Sequence, residues 1–238
     1  MKITIKRFDR FKEPQHIDME YTIEEQGLTL LAVLNRIKAT RDPSLTFKSG
    51  CKSGICGTCS VRVNGKEQLA CSYKVQDGDV IEPLNYHEVK RDLVVDKSHS
   101  LDSLMRAKAY LNAYQKGDIT IAEEKRVEVQ SDCILCSSCF SSCPVMAVNQ
   151  NFLGPFALTR VYRYVEDKRE SNPKEAIDSI QSSGVWDCTL CGECTIACPQ
   201  GIDPKMDIMN LRGISAQYGY MDPNFGNMSF GMDFSGGF

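Results

Sequence analysis

Hydrophobic and polar positions alternate from the first residues: Ile3, Ile5 and Arg7 interleave with Thr4, Lys6 and Phe8, which is a strand pattern. His16 to Ile23 is a second alternating run. Leu30, Leu31, Val33, Leu34 and Ile37 then recur at helical spacing within residues 28–40. Asn64-Gly65 is a hairpin signal between runs 60–63 and 66–69, and residues 79–83 read as a returning strand. Strands around one apolar-faced helix predict a small domain over residues 1–100, a sheet wrapped around a helix.

Beyond residue 100 the period changes. Residues 100–116 read as a helix whose Leu101, Leu104, Met105, Ala109 and Leu111 share a face only in part. Residues 101–131 are therefore expected to be a helical connector. Helices are predicted over 155–167, with Ala157, Leu158, Val161 and Tyr164, over 173–182, and after Pro204, whose fixed φ suits a first helical turn. Residues 132–215 thus form a second, α-helical domain. Residues 216–238 are rich in Gly, Met and aromatics and are not expected to build a core; they read as an unstructured end or as a partner-docking segment. His16, His87 and His99 stand apart along the chain and read as surface or structural histidines.

The chain has 238 residues, with 28 Lys and Arg against 31 Asp and Glu and a net charge of −3, which argues against nucleic acid as a partner. No apolar run has the length of a membrane-spanning helix. Met1 to Ile5 reads as a strand, not as a signal peptide. No acid–base pair, phosphate loop or nucleophile elbow is evident. What stands out is cysteine. All 12 fall in metal-ligand patterns, none is left for a disulfide, and a reducing compartment is expected.

Two stretches repeat one spacing. Cys133, Cys136, Cys139 and Cys143, followed by Pro144, form C-x2-C-x2-C-x3-C-P, and Cys188, Cys191, Cys194 and Cys198, followed by Pro199, form it again. In this bacterial-ferredoxin run three cysteines wrap one cluster and the fourth ligates the other. One [4Fe–4S] cluster is therefore expected on Cys133, Cys136, Cys139 and Cys198. A second is expected on Cys143, Cys188, Cys191 and Cys194, or a [3Fe–4S] cluster there if Cys191 is not a ligand. The repeat with intervening helices predicts a bacterial-ferredoxin-like helical domain with pseudo-twofold symmetry. Upstream, Cys51, Cys56, Cys59 and Cys71 are spaced x4, x2 and x11, the plant-type [2Fe–2S] arrangement. Gly50, Gly54 and Gly57 let that loop approach the sulfides closely. Zinc remains an alternative for any of these sets, and disulfides for the two repeated runs.

The layout of one [2Fe–2S] loop followed by two ferredoxin runs resembles the iron–sulfur subunit of succinate dehydrogenase / fumarate reductase. The resemblance covers about residues 1–212. It is carried by Asp42-Pro43-Ser44-Leu45-Thr46-Phe47, the Cys51 loop, Val63-Asn64-Gly65, Leu69-Ala70-Cys71, Arg91-Asp92-Leu93-Val94-Val95-Asp96, the Cys133 run, Phe152-Leu153-Gly154-Pro155, Arg163-Tyr164 and the Cys188 run. It implies an α+β chain: an N-terminal β-grasp ferredoxin domain facing a flavoprotein subunit that carries FAD, then a helical domain facing an anchor. Electrons would pass between FAD and a quinone, with chemistry on the partner. Two departures stand out. The family's better-known members lack a cysteine at the position of Cys191, and they place a quinone-site Trp after the first Cys-Pro, where Val145-Met146-Ala147-Val148 stands here. Both are similar to a branch with an extra Cys in the last motif and a cysteine-rich anchor. The resemblance implies a peripheral membrane protein at the cytoplasmic face, or at the periplasmic face if exported with a twin-arginine partner. A thiol- or heterodisulfide-linked fumarate reductase is the alternative wire. Trp186, two residues before Cys188, borders that cluster or packs in the core.

Overall fold

Ile3 and Ile5 are buried on one face of β1 (Lys2–Phe8) in the computed structural model, which describes residues 1–223. β1 pairs antiparallel with β2 (His16–Thr22) and parallel with β5 (Asp79–Glu82). β3 (Ser60–Val63) turns through Asn64-Gly65 into β4 (Lys66–Leu69) and also pairs antiparallel with β5. Asn64 and Gly65 both take positive φ, as the two-residue hairpin requires. The sheet order is β2-β1-β5-β3-β4. Helix α1 (Leu30–Thr40) lies in its grip, capped by Thr29 Oγ1, which accepts from Ala32 N at 3.3 Å. It buries Leu30, Leu31, Val33, Leu34 and Ile37, each worth about 1.5–3 kcal/mol relative to exposure. This is the expected β-grasp. β2 is an edge strand, so its alternation buries only Tyr21 and leaves Ile17 and Met19 half-exposed.

A short hairpin, β6 (Val89–Arg91) and β7 (Val94–Val95), returns to this sheet. Asp92 at its turn is buried and ties three segments together. It accepts from Arg7 Nε at 2.7 Å, Thr46 N at 2.7 Å and Phe8 N at 3.3 Å. Arg7 also reaches Asp42, and Tyr21 donates to Asp42 at 2.8 Å. Against the cost of burial, hydrogen bonds from Ser44, Tyr21 and Arg7 hold the Asp42 carboxyl below the usual carboxylate range.

The remaining elements are α2 (Ser98–Arg106), α3 (Ile121–Lys125), α4 (Glu128–Ser131), α5 (Ser138–Ser141), α6 (Val145–Val148), α7 (Pro155–Val165), α8 (Pro173–Ser179), α9 (Glu193–Ile196) and α10 (Pro204–Gln217). The helix expected over residues 100–116 ends ten residues early. Lys108 takes φ +48°, its N–H bonds Met105 O at 3.1 Å, and Ala109 N bonds Leu104 O at 2.9 Å. This is a Schellman stop with lysine where glycine is the usual signal. α7 opens on Gly154-Pro155, and α10 on Asp203, which accepts from Met206 N at 3.1 Å, and Pro204. α7 and α10 pack together around Phe140, Phe156, Leu158, Val161, Ile208 and Leu211. The histidines correct the sequence reading in part. His16 is exposed and packs on Phe8 with the rings tilted, but His87 and His99 meet ring to ring at 4.8 Å, both against Phe140. Burial pushes His87 down to about 4. The tail reading falls mostly outside the described residues; within them Ala216 and Gln217 complete α10 and Tyr220 packs on the helical core, its hydroxyl donating to Asp178 at 2.6 Å.

The two hydrophobic cores touch through the first cysteine run. Cys136 and Ile134 pack with the sheet's core, while Cys139 and Phe140 belong to the helical one. Polar ties reinforce this junction: Ser141 Oγ donates to Glu67 at 2.7 Å, and Gln200 Nε2 donates to the Gly54 carbonyl at 3.0 Å.

Candidate metal centres

The Cys51 loop shapes itself around sulfur. Ser53 N, Ile55 N and Cys56 N all donate to Cys51 Sγ at 3.3–3.4 Å, and Cys51 N donates to Cys56 Sγ at 3.4 Å. Hydrogen bonding, led by the Ser53 side chain and backbone, draws the Cys51 thiol down to about 6, and contacts led by the Thr58 side chain lower Cys56. Cys59 immediately precedes β3 and is buried, which pushes its thiol up to about 11; Cys71 acts on it directly. Gly50 cannot be replaced without crowding, because a Cβ there would meet Cys56 Sγ at 2.8 Å.

The two repeated runs fold as two copies of one loop. In the first, Leu135 and Ser137 take φ +51° and +69°; in the second, Leu190 and Gly192 take +55° and +89° at the matching positions. Left-handed backbone at a leucine costs about 1–2 kcal/mol, so both loops hold a shape their residues alone disfavour. Each continues into a short helix, α5 or α9, that carries the third cysteine inward. A single cavity is lined by Cys133, Cys136, Cys139 and Cys198, with Phe156 and Ile202 on its apolar side. Cys143 and Cys194 are buried in one core against which Cys188 packs, and Cys191 acts on all three. Burial pushes Cys194 up to about 12 and Cys139 well above its ordinary value. Buried thiols of this kind become thiolates when a metal takes the proton's place. All 12 thiols are free of disulfides. The donor set, the amide-lined sulfurs and the left-handed cradle fit iron–sulfur groups.

The three sets stand in series. Gly57 (φ +64°), between Cys56 and Cys59, packs so closely on the first run that a Cβ would lie 2.8 Å from Cys136 Cα. Cys139 in turn shares one buried core with Cys194 of the second run. The exposed thiols are Cys51 and Cys56 at one end and Cys191 at the other, while none of the middle set is exposed. Sequence reasoning did not find the Gly57 contact or the Gln200 tie. Gly57 carried a signal only as a loop glycine, and Gln200 carried none.

A family model described as a 2Fe-2S iron-sulfur cluster binding domain matches residues 2–102, and one described as a 4Fe-4S dicluster domain matches residues 129–202. The 8-methylmenaquinol:fumarate reductase iron-sulfur subunit of Wolinella succinogenes is 37% identical, over 92% of this chain and 74% of that protein. The fumarate reductase iron-sulfur subunit of Escherichia coli O6:H1 is 34% identical, over 87% of this chain and 90% of that protein. The chain belongs to the iron–sulfur subunits of fumarate reductase and succinate dehydrogenase. A chain of the Mycobacterium smegmatis Sdh1 complex in the apo form shares the fold, with a TM-score of 0.80 over 92% of this chain and 97% of that one at 23% identity. Members of this family are electron-transfer subunits of an oxidoreductase complex, with [2Fe–2S] and [4Fe–4S] centres, and the thiol-linked alternative is not favoured. No helix among the described residues is long and apolar enough to cross a membrane. Trp186 packs against the helical core, its Nε1 donating to Gln181 at 2.9 Å and the Arg212 guanidinium 5.5 Å over its ring.

Proposed function

We propose that this subunit relays electrons through three centres in a fixed order: Cys51, Cys56, Cys59 and Cys71 holding [2Fe–2S], Cys133, Cys136, Cys139 and Cys198 holding [4Fe–4S], and Cys143, Cys188, Cys191 and Cys194 holding a second [4Fe–4S]. The observation that carries the reading is the series itself, with the first loop seated on Cys136 and exposed thiols only at the two ends. Bound clusters supply one-electron carriers with potentials within about −700 to +450 mV. The chain's residues do the rest. Amide groups around Cys51 stabilise negative charge on sulfur, the apolar wall of Phe156 and Ile202 excludes water from the middle site, and the packed junction fixes the spacing.

The first domain (1–100) would face the FAD-bearing flavoprotein, and the helical domain (132–215) a cysteine-rich or membrane anchor in contact with the quinone pool. Peripheral attachment to a membrane goes with the same assignment, at the cytoplasmic face or, by co-export with a twin-arginine partner, at the periplasmic face. The likeness to a subunit named for an 8-methylmenaquinol:fumarate reductase supports the direction from a low-potential quinol to fumarate. Low-temperature EPR of the anaerobically purified complex, as isolated and after dithionite, tests the assignment. It should give one [2Fe–2S] and two interacting [4Fe–4S] spectra after reduction, with roughly ten iron atoms per chain. An oxidised-state [3Fe–4S] signal would remove Cys191 from the ligand set. A complex that oxidises succinate far faster than it reduces fumarate would reverse the direction.

A further inference from the structure

Lys97 stands where the two halves of the chain meet. It precedes α2, and its Nζ donates to the Cys136 carbonyl at 2.6 Å. Cys136 is also the residue on which Gly57 of the first loop packs. Burial pulls the Lys97 ammonium below its ordinary pKa, and both loops lie beside it: Cys136, whose carbonyl it meets, on one side and, through the Gly57 contact, the Cys56–Cys59 turn on the other. Lys48, an exposed residue whose Nζ donates to the Val95 carbonyl at 3.4 Å, is the neighbouring cation. The hydrogen-bond partner of Lys97 is a backbone carbonyl and not a carboxylate, so its charge is left to act on whatever lies beside it.

A lysine ammonium is a compact point charge, and a partly buried charge is screened far less than an exposed one. Thiolate-bound clusters are anionic, and reduction adds one more negative charge, so a fixed cation stabilises the reduced form more than the oxidised form. We infer that Lys97 is a tuning residue, shared by the [2Fe–2S] centre and the first [4Fe–4S] centre, that makes both easier to reduce and keeps an electron available at the junction between domains. This rests on the ligand sets proposed above. It assigns no such role to Lys48, which water screens, and none at the third centre.

The test is an EPR-monitored redox titration of the purified complex carrying Lys97→Met, Lys97→Arg or Lys48→Met, with iron content measured on each. In Lys97→Met, with iron retained, the reduced-to-oxidised ratio at a fixed potential should fall about tenfold at both junction centres, a shift of 59 mV for one electron. The third centre should not move, Lys97→Arg should restore the wild-type ratios, and Lys48→Met should shift them less. Unchanged ratios in fully loaded Lys97→Met would overturn the inference, as would an equal shift at the third centre or in Lys48→Met. Loss of one junction centre in Lys97→Met while the other keeps its wild-type ratio would reduce Lys97 to a structural support and also overturn it. Failure of the wild-type complex to show the two junction centres would instead overturn the ligand assignment.

Discussion

Replacing Gly57 with alanine perturbs the contact through which the first loop sits on the second centre. Two costs combine. Gly57 has φ +64°, where an L-residue pays about 1–2 kcal/mol. The new Cβ would also lie 2.8 Å from both Cα and Cβ of Cys136 and 3.0 Å from the Ile134 carbonyl. Two of these are backbone atoms and the third is the Cβ fixed to them, so they cannot swing aside as the tip of a flexible side chain would, and overpacking of this kind costs about 1–3 kcal/mol. The expected loss is therefore about 2–5 kcal/mol. Gly78 supplies the control. It has φ +83° but nothing within 4 Å of a Cβ, so alanine there carries only the backbone cost. Urea titration of the anaerobic protein, followed by far-ultraviolet dichroism and cluster absorbance, should show Gly57→Ala less stable than Gly78→Ala by about 1–3 kcal/mol. The spin coupling between the [2Fe–2S] centre and its neighbour should weaken in parallel. Equal destabilisation by the two variants would refute the reasoning, because it would mean that the first loop does not rest on Cys136.

Other residues give independent checks. Arg7→Met leaves the buried Asp92 carboxylate without its guanidinium and should cost about 3–5 kcal/mol in denaturant titration, with Asp92→Asn recovering much of it in the double variant. Cys191→Ala should convert the last centre to a [3Fe–4S] species visible by EPR in the oxidised sample, with its potential raised and the other two centres unaltered. Burial raises the Asp207 carboxyl to about 6 although Gln130 and Thr159 both donate to it. Because the folded carboxyl titrates above the unfolded one near 3.9, its stabilisation is fully present below about pH 4 and is lost as pH rises through about 6, amounting to about 3 kcal/mol. Asp207→Asn should thus be more stable than wild type at pH 8, with the advantage gone at pH 4; an advantage independent of pH would disprove this.

The parts of this molecule that can be read from sequence are those written locally. The cysteine spacings pointed to cluster chemistry of the kind the family models describe, because a cluster demands ligands at fixed intervals. The Leu30–Ile37 face and the Asn64-Gly65 turn were legible because period and turn chemistry act over a few residues. What escaped was non-local or chemically disguised. His87 and His99 meet across 12 positions of sequence only because Phe140, from another segment, offers both a surface. Lys108 stops α2 in a conformation usually signalled by glycine. Asp42 and Asp92 carried the family resemblance, yet their task, holding Arg7 between three segments, appears only when the segments are brought together.

The distribution of cost across the chain says how folding and cluster binding depend on each other. The β-grasp half has a core of its own, with Ile3, Ile5, Leu34 and Ile81 fully buried, and an ion-pair network that needs no metal. The helical half is organised around loops that are locally unfavourable: left-handed Leu135, Ser137 and Leu190, and buried thiols at Cys139, Cys143 and Cys194 whose ionisation burial opposes. Iron offsets those costs by taking up the thiolates, so binding free energy there is folding free energy. Chelation or cluster loss should accordingly unravel the Cys133 and Cys188 loops before it touches the sheet. The junction formed by Gly57, Cys136 and Gln200 would fail with them, since two of its three members belong to the second half. Order at the middle centre is thus a condition for the first loop's seating, and the spacing along the relay is fixed only when the clusters are in place.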